Sequence, residues 1–202
     1  MVCNWRRNLM RGLFASSGSS LKIVKSGLRA HLEASSIIGS AWLDTSGNGL
    51  SANIYGTANY VASYGGCVYL NGGYIQTPPM PNSGNSTSSW TMGIWVNPFR
   101  SSGNIISMSS TNPVGSWNMP PLSSSGNTFI GKMWQGVSGT GTASISSSYT
   151  AGTWYYVTLV WDQVNAKQIL YVNGVMSSTV NNVTYQGSGT DRSEEHTSEL
   201  QS

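Results

Sequence analysis

Gly152-Thr-Trp-Tyr-Tyr-Val-Thr-Leu-Val-Trp-Asp-Gln-Val-Asn-Ala-Lys-Gln-Ile-Leu-Tyr-Val-Asn-Gly174 is the stretch that decides the fold class. Successive side chains on a strand point to opposite faces, so Val157, Leu159 and Trp161 share one face while Tyr156, Thr158 and Val160 share the other. Both faces carry apolar bulk, which predicts a central strand covered on both sides. Asn173-Gly174, at the end of Ile169-Leu-Tyr-Val172, fits a type I′ hairpin turn, which needs two residues at positive φ. Trp90-Thr-Met-Gly-Ile-Trp-Val-Asn97 repeats the alternation, with Met92, Ile94 and Val96 on one face and Thr91, Gly93 and Trp95 on the other.

Working outward, short apolar runs separated by Gly, Asn, Ser and Pro predict strands over 27–34, 52–55, 66–71, 73–77, 89–97, 103–109, 127–134, 141–146, 153–162 and 167–173. Asn71-Gly72 predicts a second hairpin, and Pro78, Pro79 and Pro81 are expected to end its outgoing strand because proline cannot donate to a ladder. Many short strands at regular spacing, with little helical periodicity, predict an all-β, two-sheet antiparallel β-sandwich.

At 202 residues the chain suits one sandwich, and its eight Trp and ten Tyr can furnish a core. Only 8% of residues are charged, against a typical quarter, so solubility rests on Ser, Thr, Asn and Gly. Residues 1–20 form a basic leader ending in Ser-Ser-Gly-Ser-Ser, a flexible composition. Basic, aromatic-interleaved stretches are absent, which argues against nucleic acid as a partner. No stretch reaches the length of a membrane span. Leu9, Met10, Leu13 and Phe14 are broken by Arg11 and Gly12, so no signal peptide is visible. A virion or an extracellular or cell-surface location is expected. Cys3 and Cys67, one in the leader and one in a predicted strand, are not expected to form an internal disulfide.

Arg192-Ser-Glu-Glu-His-Thr-Ser-Glu-Leu-Gln-Ser202 matches, codon by codon and in frame, a common short-read sequencing adapter. Residues 192–202 are therefore expected to be an adapter-derived tail that is not native and contributes no chemistry. Up to Asp191 there are nine basic and four acidic residues, a net charge of +5, and His31 is the sole histidine.

These landmarks resemble the laminin-G-like, concanavalin-A-like lectin (jelly-roll) family. Gly27-Leu-Arg-Ala-His-Leu-Glu-Ala34 is similar to its first strand, and Trp42-Leu-Asp-Thr-Ser-Gly-Asn-Gly49 to its tryptophan followed by an Asp-Ser-Gly-Asn-Gly turn. Gly66-Cys-Val-Tyr-Leu-Asn-Gly72 with Tyr74 and Ile75, Trp90 through Pro98, and Gly152 through Val175 match further segments in order. The resemblance covers roughly 27–190 and implies an incomplete sandwich domain over 21–191. The family's closing strands are missing where the adapter begins, and Glu33 stands where the family often has Asp. The tail is then expected to hang off as coil or a stray helix, with one sheet lacking a strand and the chain folding poorly.

The native acids are Glu33, Asp44, Asp162 and Asp191, no two within ten residues of each other, so no strand carries the paired carboxylates of a glycosidase. His31 is expected to be a packed strand histidine rather than a base. No enzyme is predicted. Asp44, Ser46 and Asn48 occupy positions 1, 3 and 5 of a stretch that begins like a calcium loop, with Gly49 at 6. Tyr55 replaces the bidentate Glu at position 12, so an Asx-type turn is the expected reading, calcium the alternative, and no cofactor is predicted. Sugar rings present C–H faces that stack on aromatic rings, and their hydroxyls pair with amides. Trp117, Trp134, Gln135, Asn118 and Tyr149 lie in or beside polar connections and are the candidate carbohydrate-binding residues. The expected function is a noncatalytic carbohydrate-binding or adhesion module of a phage virion or microbial surface protein. A glycan or glycosylated surface is its partner, within a larger oligomeric fibre. The alternative is a purely structural fibre or decoration module that binds no sugar.

Overall fold

A computed structural model describes residues 2–3, 26–61, 66–79, 88–109, 118–135, 141–183 and 192–196. Among these residues there is no helix, and every strand pairing is antiparallel. The strands are β1 (Val2–Cys3), β2 (Leu32–Ile38), β3 (Ala41–Asp44), β4 (Ala52–Tyr55), β5 (Ala58–Val61), β6 (Cys67–Leu70), β7 (Tyr74–Pro79) and β8 (Trp90–Val96). They continue as β9 (Gly103–Ser109), β10 (Asn118–Ser125), β11 (Thr128–Gln135), β12 (Gly141–Ser148), β13 (Tyr155–Asp162), β14 (Lys167–Val172), β15 (Val175–Val180) and β16 (Arg192–His196).

Two sheets form the sandwich: a seven-stranded one in the order β15-β14-β13-β8-β1-β6-β5, and a nine-stranded one in the order β12-β11-β10-β9-β16-β7-β4-β3-β2. The core lies between them. Val68, Leu70, Ile94, Val96, Val157, Leu159 and Leu170 from the smaller sheet meet Trp42, Ile75, Ile105, Ile106, Leu122, Phe129 and Ile145 from the larger. The alternation in β8 and β13 holds, but only Val157, Leu159, Trp161, Ile94 and Val96 are buried. The opposite face, with Thr91, Trp95, Tyr156 and Val160, is half-buried or exposed, so the expectation of strands covered on both sides is corrected. A two-layer sandwich covers each sheet once.

Asn173 and Gly174 both take positive φ, 53° and 80°, and join β14 to β15 as a hairpin. Asn71-Gly72 does not make one: β6 pairs β1 and β5 in the smaller sheet, whereas β7 pairs β4 and β16 in the larger. The chain changes sheets here, as it does between β4 and β5, and the two crossings press together. A Cβ on Gly56 would lie 2.8 Å from the Gly72 carbonyl oxygen, and one on Gly73 would lie 2.6 Å from that of Tyr55. Glycine serves close backbone approach at this corner, which local turn chemistry alone does not distinguish from a hairpin.

Several boundaries differ from expectation. The first long strand is 32–38 rather than 27–34, because the side-chain amide of Asn48 takes the carbonyls of Leu28 and Arg29 that a ladder would use. β7 runs through Pro78 to Pro79, since a proline carbonyl still accepts in a ladder. Pro120 and Pro121 sit inside β10 where its register with β9 shifts between Met119 and Leu122, a bulge that tolerates them. Val2–Cys3, placed by composition in the leader, lies between β6 and β8, with Cys3 facing Cys67 in the ladder.

The described part of the tail, Arg192–His196, does not stand off. Arg192–His196 forms β16 between β9 and β7, with Arg192 opposite both Ser109 and Pro79, so the predicted gap in the sheet is closed. Backbone N–H and C=O groups make the ladder, and every residue of Arg192–His196 carries both whatever its side chain. Neighbouring strands with unpaired edges accept such a segment.

Candidate functional site

A cavity of about 70 Å³ opens at the end of the sandwich where β8 leaves the sheet, bordered by Tyr69, Asn71, Asn97, Phe99, Arg100 and Asn104. Phe99 is 54% exposed, and its ring stands edge-on to Tyr69 with centroids 6.1 Å apart and planes at 77°. An exposed phenylalanine in this geometry presents an apolar face to solvent beside amide side chains.

The loop that carries Phe99 is held in place from several sides. Gly152 N–H donates to the Pro98 carbonyl (2.8 Å), and Asn97 Nδ2 donates back to the Gly152 carbonyl (3.2 Å). Tyr149 Oη donates to the Arg100 carbonyl (2.8 Å), and Asn127 N–H donates to that of Ser101 (3.1 Å). Pro98 fixes its own φ. A loop fixed this way loses little conformational entropy when a ligand arrives.

Of the residues expected to bind sugar, Tyr149 is 7% exposed and packs against Phe129 and Tyr155, with ring centroids 4.5 and 6.3 Å away. It offers no free ring face, and its place is corrected from stacking platform to support of the Phe99 loop. Trp117 lies outside the described residues. Asn118 opens β10 and Trp134 and Gln135 close β11; their side chains lie outside the described part. In the antiparallel register these positions fall at the end of the larger sheet away from Ser124 and the cavity. The candidate set is therefore split between two ends. Sequence reasoning missed Phe99 and Tyr69; the signal was an aromatic directly after Asn97-Pro98, at a strand end rather than within a strand.

The Asp44 loop is closed on itself. Asp44 Oδ1 accepts from His31 N (2.9 Å) and Ser46 N (2.9 Å), and Oδ2 accepts from Ser46 Oγ (2.7 Å) and Leu50 N (3.0 Å). Gly47 and Gly49 take φ of 96° and 73°, as the turn requires. Burial pushes the Asp44 carboxyl up, but these four donors outweigh it and hold it below its ordinary value. A cation here would have to displace all of them. Among the described residues no three His, Cys, Asp or Glu side chains are grouped to hold a metal. His31 Nδ1 meets Thr45 Oγ1 at 2.6 Å and Glu33 Oε1 at 3.5 Å. Both partners face the same ring nitrogen, whereas a relay needs the hydroxyl and the acid on opposite nitrogens.

A family model described as the concanavalin A-like lectin/glucanases superfamily matches residues 70–194, more than half of the chain. The chain belongs to this superfamily. Among solved structures, the superfamily fold here is similar to the binding domain of botulinum neurotoxin DC in complex with rat synaptotagmin II (TM-score 0.66, 14% identity, covering 88% of this chain and 45% of that one). The botulinum neurotoxin serotype D/C VPI 5993 binding domain gives a TM-score of 0.65 at 16% identity over 87% of this chain and 44% of that one. The binding domain of botulinum neurotoxin DC in complex with SialylT gives 0.58 at 13% identity over 79% and 42%. The chain spans less than half of each of these structures, and at such identities the likeness is one of fold. No curated protein matches the sequence. Among the described residues no helix is long and apolar enough to cross a membrane.

Proposed function

We propose that this chain is a noncatalytic carbohydrate-binding module, and that the cavity at Phe99 is where a sugar sits. The observation that carries this reading is an exposed ring on a preorganised loop, braced edge-on by Tyr69 and beside the amides of Asn71 and Asn104. Ligand sites pair apolar walls with a few placed polar groups. A sugar ring stacked on Phe99 places its hydroxyls among those amides. Superfamily membership and the binding-domain neighbours support the reading. The Ser-, Thr-, Asn- and Gly-rich, sparsely charged composition suits a phage virion appendage or a microbial surface protein.

Catalysis has no uncommitted carboxylate pair to work with among the described residues. Glu33, one strand over from Asp44, is already engaged by Ser35 Oγ (3.3 Å) and His31 Nδ1 (3.5 Å), and Asp44 and Asp162 lie in different sheets. Asp44 spends both oxygens on its own loop in the larger sheet. Asp162, at the end of β13 in the smaller sheet, accepts from Asn165 Nδ2 at 2.7 Å. Glycoside hydrolysis needs two carboxyls within ~5–10 Å flanking one bond.

The test is a glycan array on the whole chain, followed by titration of the best ligand against Phe99→Ala and Trp134→Ala. Losing the stacked ring should weaken binding about tenfold, on the order of 1 kcal/mol for an aromatic contact, with the thermal melt unchanged. Trp134→Ala should bind as the parent does. If Trp134→Ala alone abolishes binding, the site lies at the opposite end of the sandwich. If no glycan is retained, the chain is a structural fibre or decoration module.

A further inference from the structure

The outer face of the smaller sheet carries aromatic side chains that the core does not use. Trp95 on β8 faces Tyr156 on β13 directly across the ladder, and their rings lie 5.3 Å apart, tilted by 40°. Gly93 is what lets the pair form. A Cβ at that position would lie 2.4 Å from Tyr156 Oη and 3.0 Å from its Cζ, so the tyrosine ring lies across the bare backbone of β8. Tyr156 is nevertheless 37% exposed. Tyr171 on β14 stands opposite Thr158, one strand over and one step along from Tyr156 on the same face. Three aromatic positions thus cross three adjacent strands, about 10 Å of sheet at the usual strand spacing.

The chemistry of this face is one-sided. Thr91, Gly93, Trp95, Tyr156, Thr158, Val160, Ile169 and Tyr171 are all uncharged. The charged pair on it, Asp162 and Lys167, sits at the far end of the hairpin, each opposite the other. The aromatic end also runs into the cavity: Val96 and Asn97, which border it, follow Trp95 directly.

We infer that this face is a second carbohydrate contact, a flat platform for an extended uncharged glycan chain that continues from the cavity at Phe99. The inference rests on the carbohydrate-binding reading and deepens it by naming the ligand class. Ring faces offer dispersion and C–H contact along successive sugars. The Tyr and Thr hydroxyls serve the sugar hydroxyls, and Lys167, the cation on this face among the described residues, stands at its far end opposite Asp162 rather than beside the aromatic rings. A chain long enough to span both places gains contact at each added unit, while a single sugar occupies the cavity alone.

The experiment uses the whole chain and ladders of cello-, xylo- and malto-oligosaccharides from monosaccharide to hexasaccharide, with calorimetric affinities. Affinity should rise at least roughly tenfold along the preferred ladder, a gain of about 1.4 kcal/mol. Tyr156→Ala and Tyr171→Ala should erase that rise while leaving monosaccharide affinity unchanged. Tyr156→Phe should keep it, which separates loss of the ring from loss of the hydroxyl. Phe99→Ala should weaken every length alike. Affinity independent of length, a rise that survives both alanine variants, or no binding to any ladder would overturn the platform. A length dependence that vanishes in Tyr156→Ala while Phe99→Ala binds normally would remove the cavity instead and leave the platform standing.

Discussion

Replacing Trp42 by alanine should destabilise the fold by about 3–5 kcal/mol, as expected for truncating a fully buried tryptophan. The indole is 2% exposed and belongs to the core between the sheets. It sits on β3, whose short ladder pairs Trp42 with Ile37 on one side and Ala52 on the other. Its Nε1–H also donates to the Glu33 carbonyl, tying β3 to β2. Three elements at that end of the larger sheet thus depend on one side chain. For a chain of this length the melting temperature should fall on the order of 10 °C. Trp42→Phe keeps a ring and loses only the indole donor. The Glu33 carbonyl still accepts from Ser36 Oγ, so this variant should cost about 1–2 kcal/mol. Equal losses for the two variants would mean that the hydrogen bond, not the packing, anchors β3.

Asp44→Ala should cost about 3 kcal/mol, because it strands three backbone N–H groups and the Ser46 hydroxyl at one point. The loop it closes fastens the segment before β2: Thr45 N–H donates to the His31 carbonyl at 2.8 Å, and Asn48 Nδ2 donates to the Leu28 carbonyl at 2.8 Å. The lowered Asp44 carboxyl sets the pH signature. Its contribution is present above the ordinary carboxyl value of about 4 and is lost as pH falls through the lower folded value. Melting curves of the parent chain should therefore drop below about pH 4, and those of Asp44→Asn should start lower and change less across that window. Millimolar calcium should leave the parent's melt unchanged, since a ligand stabilises only by binding the native state. A rise of many degrees that Asp44→Ala abolishes would contradict the turn reading of this loop.

The strands that sequence reveals are those where one side chain in two must be apolar. β13 and β8 declare themselves because Val157, Leu159, Trp161, Ile94 and Val96 have to fill the core. β9 is found at its true bounds, 103–109, as a short apolar run between turn residues, although Ile105, Ile106 and Ser107 are buried in succession rather than alternately. β10 is hidden because it reads Asn-Met-Pro-Pro-Leu-Ser-Ser-Ser, with its prolines at a bulge and Ser123 and Ser124 buried among the larger sheet's strands. Its turn to β11, Gly126-Asn127 at φ of 57° and 59°, carries the same double positive φ as Asn173-Gly174. The Asn71-Gly72 error has the opposite cause. Its local chemistry suits a hairpin, but the partners of β6 and β7 are fixed by other strands far away in the chain, and a turn signal says nothing about them. β16 is not foreseen because an adapter-derived segment is expected to stay outside the fold, whereas a ladder needs only backbone N–H and C=O groups.

The site was less legible than the fold. Trp95 reads as one more core aromatic, and only the pairing with Tyr156 over Gly93 reveals that it faces outward. Tyr149 has the opposite history. It follows a Ser-rich strand and looks like a surface ring, yet Phe129 and Tyr155 enclose it, and its hydroxyl braces the loop that carries Phe99. Whether an aromatic faces solvent depends on which sheet face its strand covers, and that is a property of the two-layer arrangement rather than of its sequence neighbours.

The most direct test of a noncatalytic binding module is a single incubation read two ways. The whole chain is mixed with the array's best polysaccharide, and retained protein and newly released reducing ends are measured in the same sample over a day. Saturable retention, lost in Phe99→Ala, with reducing ends indistinguishable from the polysaccharide alone, is the predicted result. Reducing ends that accumulate in proportion to protein, or the absence of retention on any polysaccharide, would contradict it.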